Sequence, residues 1–148
     1  IFLRAGLLHA YISGLGVELM AASDNVLRGG LTPKRIDVDE LLSIVDATAA
    51  EVPVLRPEGA GPVTRYEVPI TDFALSRVVL TGTDVVVPVS GPTMILATEG
   101  RVGVRGTLAE PMEIPVGTAV FATDDEHEVT LTGTGEVFVA GPGVGHGV

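Results

Sequence analysis

"DVVVPVSGPTMILATEGRVGVRG", residues Asp84 to Gly106, is made of short bursts of Val, Ile and Leu, each closed by Gly, Pro or Ser. Bursts of four to eight residues between turn formers suit strands, because a buried helix needs a longer run. Here they read as the strands "DVVVPV", "TMILATEG" and "RVGVRG". The same grammar continues on both sides. "RYEVPI" and "FALSRVVL" come before, and "MEIPVG", "TAVFAT", "EVTLTG" and "GEVFVAG" come after. From Thr64 onward the pattern predicts an all-β domain. Many short Val-rich strands with tight turns imply a sandwich or barrel, and this spacing fits a jelly roll.

The totals agree. Hydrophobic residues make up 46% of the 148 but aromatics only 4%, so the core must be built from Val, Leu, Ile and Ala. With 19 Gly and 10 Pro, the chain favours turns over a helix bundle. The absence of Cys removes both a disulfide framework and thiolate metal sites, and is compatible with a cytoplasmic location. A net charge of -10 argues against a nucleic-acid partner, which would call for a basic patch. The first 35 residues differ from the rest. Arg4, Arg28, Lys34 and Arg35 stand against Glu18 and Asp24, a net +2 that leaves -12 elsewhere. A locally cationic segment on an acidic protein points to a small anionic ligand.

Upstream of Thr64 the pattern changes. "IFLRAGLLHAYI" and "VELMAA" read as two strands around the turn "SGLG", followed by the turn "SDN" and a loop in which Pro33 holds Thr32 extended. The stretch from Ala5 to Val17 is too short to span a bilayer, and its glycines and His9 disfavour a signal peptide, so no membrane partner is expected. "DVDELLSIVDAT" is the single convincing helix, with Asp37 or Asp39 as its cap and Leu41, Leu42 and Val45 as its apolar stripe. "AAEVPVLRPEGAGPV" reads as a linker. The expected organisation is therefore 1–48, a linker over 49–63, and a β domain over 64–148. Because Ile1 opens inside a strand pattern, the chain reads as a piece of something longer. An internal echo aligns Gly6 with Gly117, Gly14 and Gly16 with Gly133 and Gly135, and Ala21 with Ala140. Glycine hairpins also recur by chance in β proteins. If the echo is a true repeat, Val120 stands at the His9 position and Val137 at the Glu18 position.

"AGLLHAYISGLGVELMAASDNVLRGGLTPK", with its string SDN-x-x-R-x-G-x-TPK, resembles the signature of type I mannose-6-phosphate isomerases. "RIDVDELL", "YEVPITDFALSRVVL", "ILATEGRV" and "GTAVFAT" resemble the C-terminal region of that family more loosely. The resemblance implies cupin (jelly-roll) domains. Residues 1–48 would be the end of a catalytic cupin, contributing a partial hairpin and one short helix, and 64–148 a degenerate cupin. It also implies one Zn2+ ion. The other protein ligands, a Gln, a His and a Glu, would lie in a missing N-terminal portion that becomes the chain's partner. Arg4 departs from the family pattern, where a proline is commoner before Ala-Gly.

His9 is the ligand the resemblance implies, and neutral imidazole is a good one. His127 and His146 lack ligand spacing to it and read as solvated. Isomerising an aldose to a ketose moves a proton between C1 and C2 through an enediolate, which needs a base and positive charge. Glu18 is a base candidate, or else an exposed strand carboxylate. By resemblance Arg28 stabilises the enediolate or positions the sugar, and it can also pair with Asp24. Asp24 acts directly or, with Asn25, only holds the turn. Lys34 binds phosphate or assists proton transfer, and Tyr11 lines the pocket. The acidic run "TDDEHE" reads as a solvated hairpin loop. The expected activity is interconversion of mannose 6-phosphate, the sugar-phosphate substrate, and fructose 6-phosphate, with this piece inactive alone. The alternative is a non-catalytic cupin module that binds carbohydrate or regulates a partner chain.

Overall fold

Valine at alternate positions decides where the core lies. In the computed structural model, which describes residues 1–23, 26–57 and 60–143, the chain divides into two compact units, Ile1–Leu55 and Arg56–Val148. The second unit holds seven strands in one antiparallel sheet: β1 (Val63–Tyr66), β2 (Ala74–Thr81), β3 (Val85–Pro88), β4 (Thr93–Gly106), β5 (Met112–Ile114), β6 (Ala119–Ala122) and β7 (Glu128–Gly141). The fold class expected from the strand pattern is the one observed.

Two of the strands are twice as long as their sequence runs suggested. "TMILATEG" and "RVGVRG" form one strand, β4, while "EVTLTG" and "GEVFVAG" form β7. These two pair with each other from Met94↔Ala140 to Gly106↔Val129 and bend together. Their halves then serve different layers. The first half of β4 pairs with β6 and its second half with β5, whereas β7 pairs with β3 through its first half and β2 through its second. A β-bulge between Ala97 and Glu99 changes the phase of β4, so its buried positions switch from Ile95 and Ala97 to Val102 and Val104. Glycines meet at the bend. A Cβ on Gly100 (φ +79°) would lie 2.1 Å from the Thr134 carbonyl oxygen, and one on Gly135 2.0 Å from that of Glu99. Only glycine lets the two backbones cross so closely.

The core between the layers is Val78, Leu80, Ile95, Val102, Ile114, Leu131, Val137 and their neighbours. It is aliphatic, as the aromatic content required. Val120, packed against this core, and Val137, fully buried, occupy the positions that the internal echo aligned with His9 and Glu18.

The first unit departs from expectation. No ladder joins its two anticipated strands among the described residues, and Ile12 and Leu15 are 98% and 90% exposed. A lone pair of strands is marginal in water without a layer to bury its apolar face. The helix α1 spans Val38–Ile44, ending four residues before Thr48. The Asp37 carboxylate caps it by accepting from the Glu40 N–H at 3.2 Å. Leu41 and Val45 are half-buried, but Leu42 is 67% exposed. Val45 stacks on Leu41 at i+4, while Leu42 lies a helical step around the surface. The chain start is fastened to the helix end: the Gly6 carbonyl accepts from Asp46 N–H at 2.9 Å, and Arg4 pairs with the Asp46 carboxylate. Arg4 and the Thr48 N–H hold that carboxyl well below the ordinary aspartate range. Among the described residues no helix is long and apolar enough to cross a membrane.

Candidate active site

The SGLG turn brings its two flanks close enough for three of the anticipated residues to meet. The His9 and Tyr11 rings stand edge to face, with centroids 6.0 Å apart and planes at 80°. The neighbouring Glu18 carboxylate, more than burial, pushes the Tyr11 phenol above its ordinary value. The His9 Nδ1 lies 3.3 Å from the Leu7 carbonyl oxygen. As an N–H it donates there and leaves Nε2 with the lone pair, the form in which imidazole binds a metal. All three side chains are exposed.

Arg28 and Lys34 make local bonds of their own. Arg28 is half-buried and donates to the Val26 carbonyl at 3.2 Å. The Lys34 N–H donates to Thr32 Oγ1 at 3.2 Å, and the Lys34 side chain is exposed. Neither side chain forms an ion pair among the described residues. Asp24 and Asn25, and with them the pairing of Asp24 to Arg28, lie outside the described residues, as does His146. His127 is exposed in the second unit.

Among the described residues no three His, Asp or Glu side chains converge where a metal ion could sit. A catalytic zinc normally takes three protein ligands plus an open position. His9 offers one donor, so this chain's described residues do not complete a zinc site.

The acidic loop corrects a different expectation. Glu126, within "TDDEHE", is 7% exposed rather than solvated. Its carboxylate accepts from the Thr107 and Leu108 N–H groups at 2.7 and 3.1 Å, and these bonds hold its pKa below the ordinary glutamate range. A Cβ on Gly106 would lie 2.3 Å from Glu126 Oε1, so the absent side chain makes room for the carboxylate.

No family model matches the chain. Individual proteins do. The mannose-6-phosphate isomerase of Escherichia coli is 33% identical over 139 residues, which cover 92% of this chain and 35% of that protein. Mannose-6-phosphate isomerase 2 of Arabidopsis thaliana is 39% identical over 140 residues, 93% of this chain and 31% of that one. Over about nine-tenths of its length the chain is similar to part of these mannose-6-phosphate isomerases. A crystal structure of mannose 6-phosphate isomerase from Salmonella typhimurium, bound to its substrate (fructose 6-phosphate) and zinc, superposes with a TM-score of 0.72 at 29% identity, covering 84% of this chain and 32% of that one. The mannose-6-phosphate isomerase structures match through their C-terminal part, and the chain spans about a third of the length of these relatives.

Proposed function

We propose that this chain is the C-terminal part of a zinc-dependent enzyme that interconverts mannose 6-phosphate and fructose 6-phosphate, and that it is inactive alone. The observation that carries this reading is the segment His9 to Lys34. It keeps an imidazole, a carboxylate, a guanidinium and an amine in a chain 33% identical to a named isomerase across 92% of its length. The relative with bound fructose 6-phosphate and zinc supports the substrate class and the metal. When bound, zinc polarises carbonyl and hydroxyl oxygens. His9 supplies one ligand, and the upstream part of the polypeptide supplies the others. Glu18, beside Tyr11, is the base that carries the proton between C1 and C2. Arg28, unpaired among the described residues, places its planar cation where the enediolate oxygen develops charge. Lys34, the sole lysine, offers a point charge to the phosphate. The setting is cytoplasmic carbohydrate metabolism, and both domains are cupins. The rival reading, a non-catalytic cupin module, draws support from the single imidazole that the described residues of the first unit present.

Zinc content and isomerase activity, measured on the 148-residue chain and on a polypeptide of the relatives' length containing it, separate the two. The longer protein is expected to hold one zinc and turn over mannose 6-phosphate, and the short chain to do neither. Turnover by the short chain with one bound zinc would overturn the assignment of ligands. Failure of the longer protein would favour the non-catalytic module.

A further inference from the structure

Around the second half of β4, the outer side of the sheet carries a cleft with no large side chain at its floor. Gly103 lies between Glu113 on β5 and Thr132 on β7, and Arg101, two residues earlier, partners Thr134. Directly opposed residues on neighbouring strands share a face, and so do residues two apart on one strand. Val102, Val104 and Leu131 alternate with them and fill the core, so this face is turned outward. Gly82 and Gly133, joined by an N–H to carbonyl bond of 2.9 Å, close a third side, and the cleft holds about 250 Å³. Glycine keeps it open. A Cβ on Gly103 would lie 2.5 Å from Thr132 Oγ1, so the half-buried Thr132 side chain leans over the empty position. Among the described residues neither its hydroxyl nor that of Thr134 has a hydrogen-bond partner.

The polar groups around this floor are of complementary kinds. Arg101 Nε and Nη2 both donate to Glu113 Oε1, at 3.1 and 2.7 Å. Glu113 Oε2 and Arg101 Nη1 are left without a partner among the described residues. We propose that the cleft over Gly103 binds a neutral polyhydroxylated molecule the size of one sugar ring. Neighbouring hydroxyls would be held between Arg101 and Glu113, and further ones met by Thr132 and Thr134. A diol needs a donor and an acceptor side by side: the guanidinium donates to one oxygen, and the carboxylate accepts from the next. A threonine hydroxyl does either. The glycine floor lets the C–H face of a ring approach the backbone closely. Size sets the upper limit. At about 30 Å³ of liquid volume per molecule the cleft displaces about eight waters, room for one ring. An anion fits less well. Phosphate would have to take Arg101 from Glu113 and leave two negative groups side by side, on a chain of net charge -10. No residue of the cleft precedes Gly82, so its occupancy stands apart from the isomerase reading.

Titration of the isotope-labelled 148-residue chain with D-mannose and, separately, D-glucose, followed through its amide NMR signals, tests the proposal. Inorganic phosphate serves as the anionic control. At least one hexose is expected to shift the amides of Gly103 and Thr132–Thr134 saturably, and phosphate to leave them in place. The expected Kd is on the order of 1 mM, since a few exposed polar contacts to a small ligand bind weakly. Thr132→Val keeps the branched shape, removes the hydroxyl and should weaken hexose binding about fivefold. Glu113→Gln keeps the size, removes the charge that holds Arg101, and should weaken it about tenfold while admitting phosphate. An unchanged Tm establishes that each variant folds. No saturable shift with either hexose up to about 100 mM, a hundredfold above the expected Kd, would overturn the proposal. So would shifts confined to residues 1–55, equal shifts by phosphate in the parent chain, or parental affinity in both variants.

Discussion

Glu126 is a carboxylate that the fold uses as an acceptor for backbone rather than as a surface charge. It ties the β6–β7 loop to the Thr107–Leu108 N–H groups beyond the end of β4, in a space kept open by Gly106. Those bonds favour the ionised form, against desolvation and the nearby Asp125. A lowered pKa means that, as pH falls, the unfolded chain takes up its proton first. The stabilisation is therefore complete above the ordinary glutamate range, near 4.5, and is lost as pH drops through the lower folded value. Glu126→Gln is expected to lower Tm by ~5 °C at pH 7, and the gap should close below that range. Circular-dichroism melts at neutral and acid pH check it, and a gap that persists in acid would assign the effect to shape rather than charge. Nothing in "TDDEHE" marked the third acid as buried, because its partners are brought to it only by tertiary folding. The cluster of His9, Tyr11 and Glu18 was legible in a different way. The residue types could be named from the segment itself, but the nearness of Tyr11 to Glu18 depends on how SGLG turns the chain.

At the scale of elements, the local grammar of apolar bursts and glycine breaks located nearly every strand and misjudged where strands end. Gly100 closes one run and Gly135 opens another, and in fact they are the corner through which β4 and β7 pass from one layer to the other. A glycine in a strand pattern marks a turn or a close crossing equally well, and only pairing distinguishes them. Residues 1–21 erred in the opposite direction. Alternation suggested strands, but a ladder is a property of partners, and the described residues of the first unit present no layer for Ile12 or Leu15 to bury against. The corner predicts an asymmetric response to a single methyl. Gly100→Ala places a Cβ about where the Thr134 carbonyl oxygen lies, at a φ of +79°, and is expected to cost about 3 kcal/mol or more. Gly61→Ala, with nothing within 4 Å and no positive φ, should stay within about 0.5 kcal/mol of the parent. Urea denaturation of both variants measures this, and equal midpoints would mean that the strands can separate at the corner without loss.

Over the whole molecule, cohesion is distributed unevenly. All fifteen buried hydrophobic residues among those described lie between Val78 and Val139, and none of the described residues before Arg56 is buried. Hydrophobic burial is the main favourable contribution to folding, so cooperative stability belongs to the second unit. The first unit is held by a capped seven-residue helix, the Arg4–Asp46 pair and a few backbone bonds such as Phe2 N–H to the Pro53 carbonyl at 3.1 Å. Exposed ion pairs and short helices contribute little by themselves. The residues of the candidate site thus sit on the less stable unit, and the stable unit bears none of them. A chain reduced to residues 56–148 is expected to melt within about 3 °C of the full chain, with the same cooperativity, because its core is unchanged. In the full chain, hydrogen exchange should be fast throughout residues 1–55 and slow in β2, β4 and β7. If the shortened chain melted far lower, or if amides near His9 and Glu18 exchanged as slowly as those of β7, the first unit would share the cooperative core. The site would then be formed within this chain, and on the proposed reading an upstream portion would add only metal ligands.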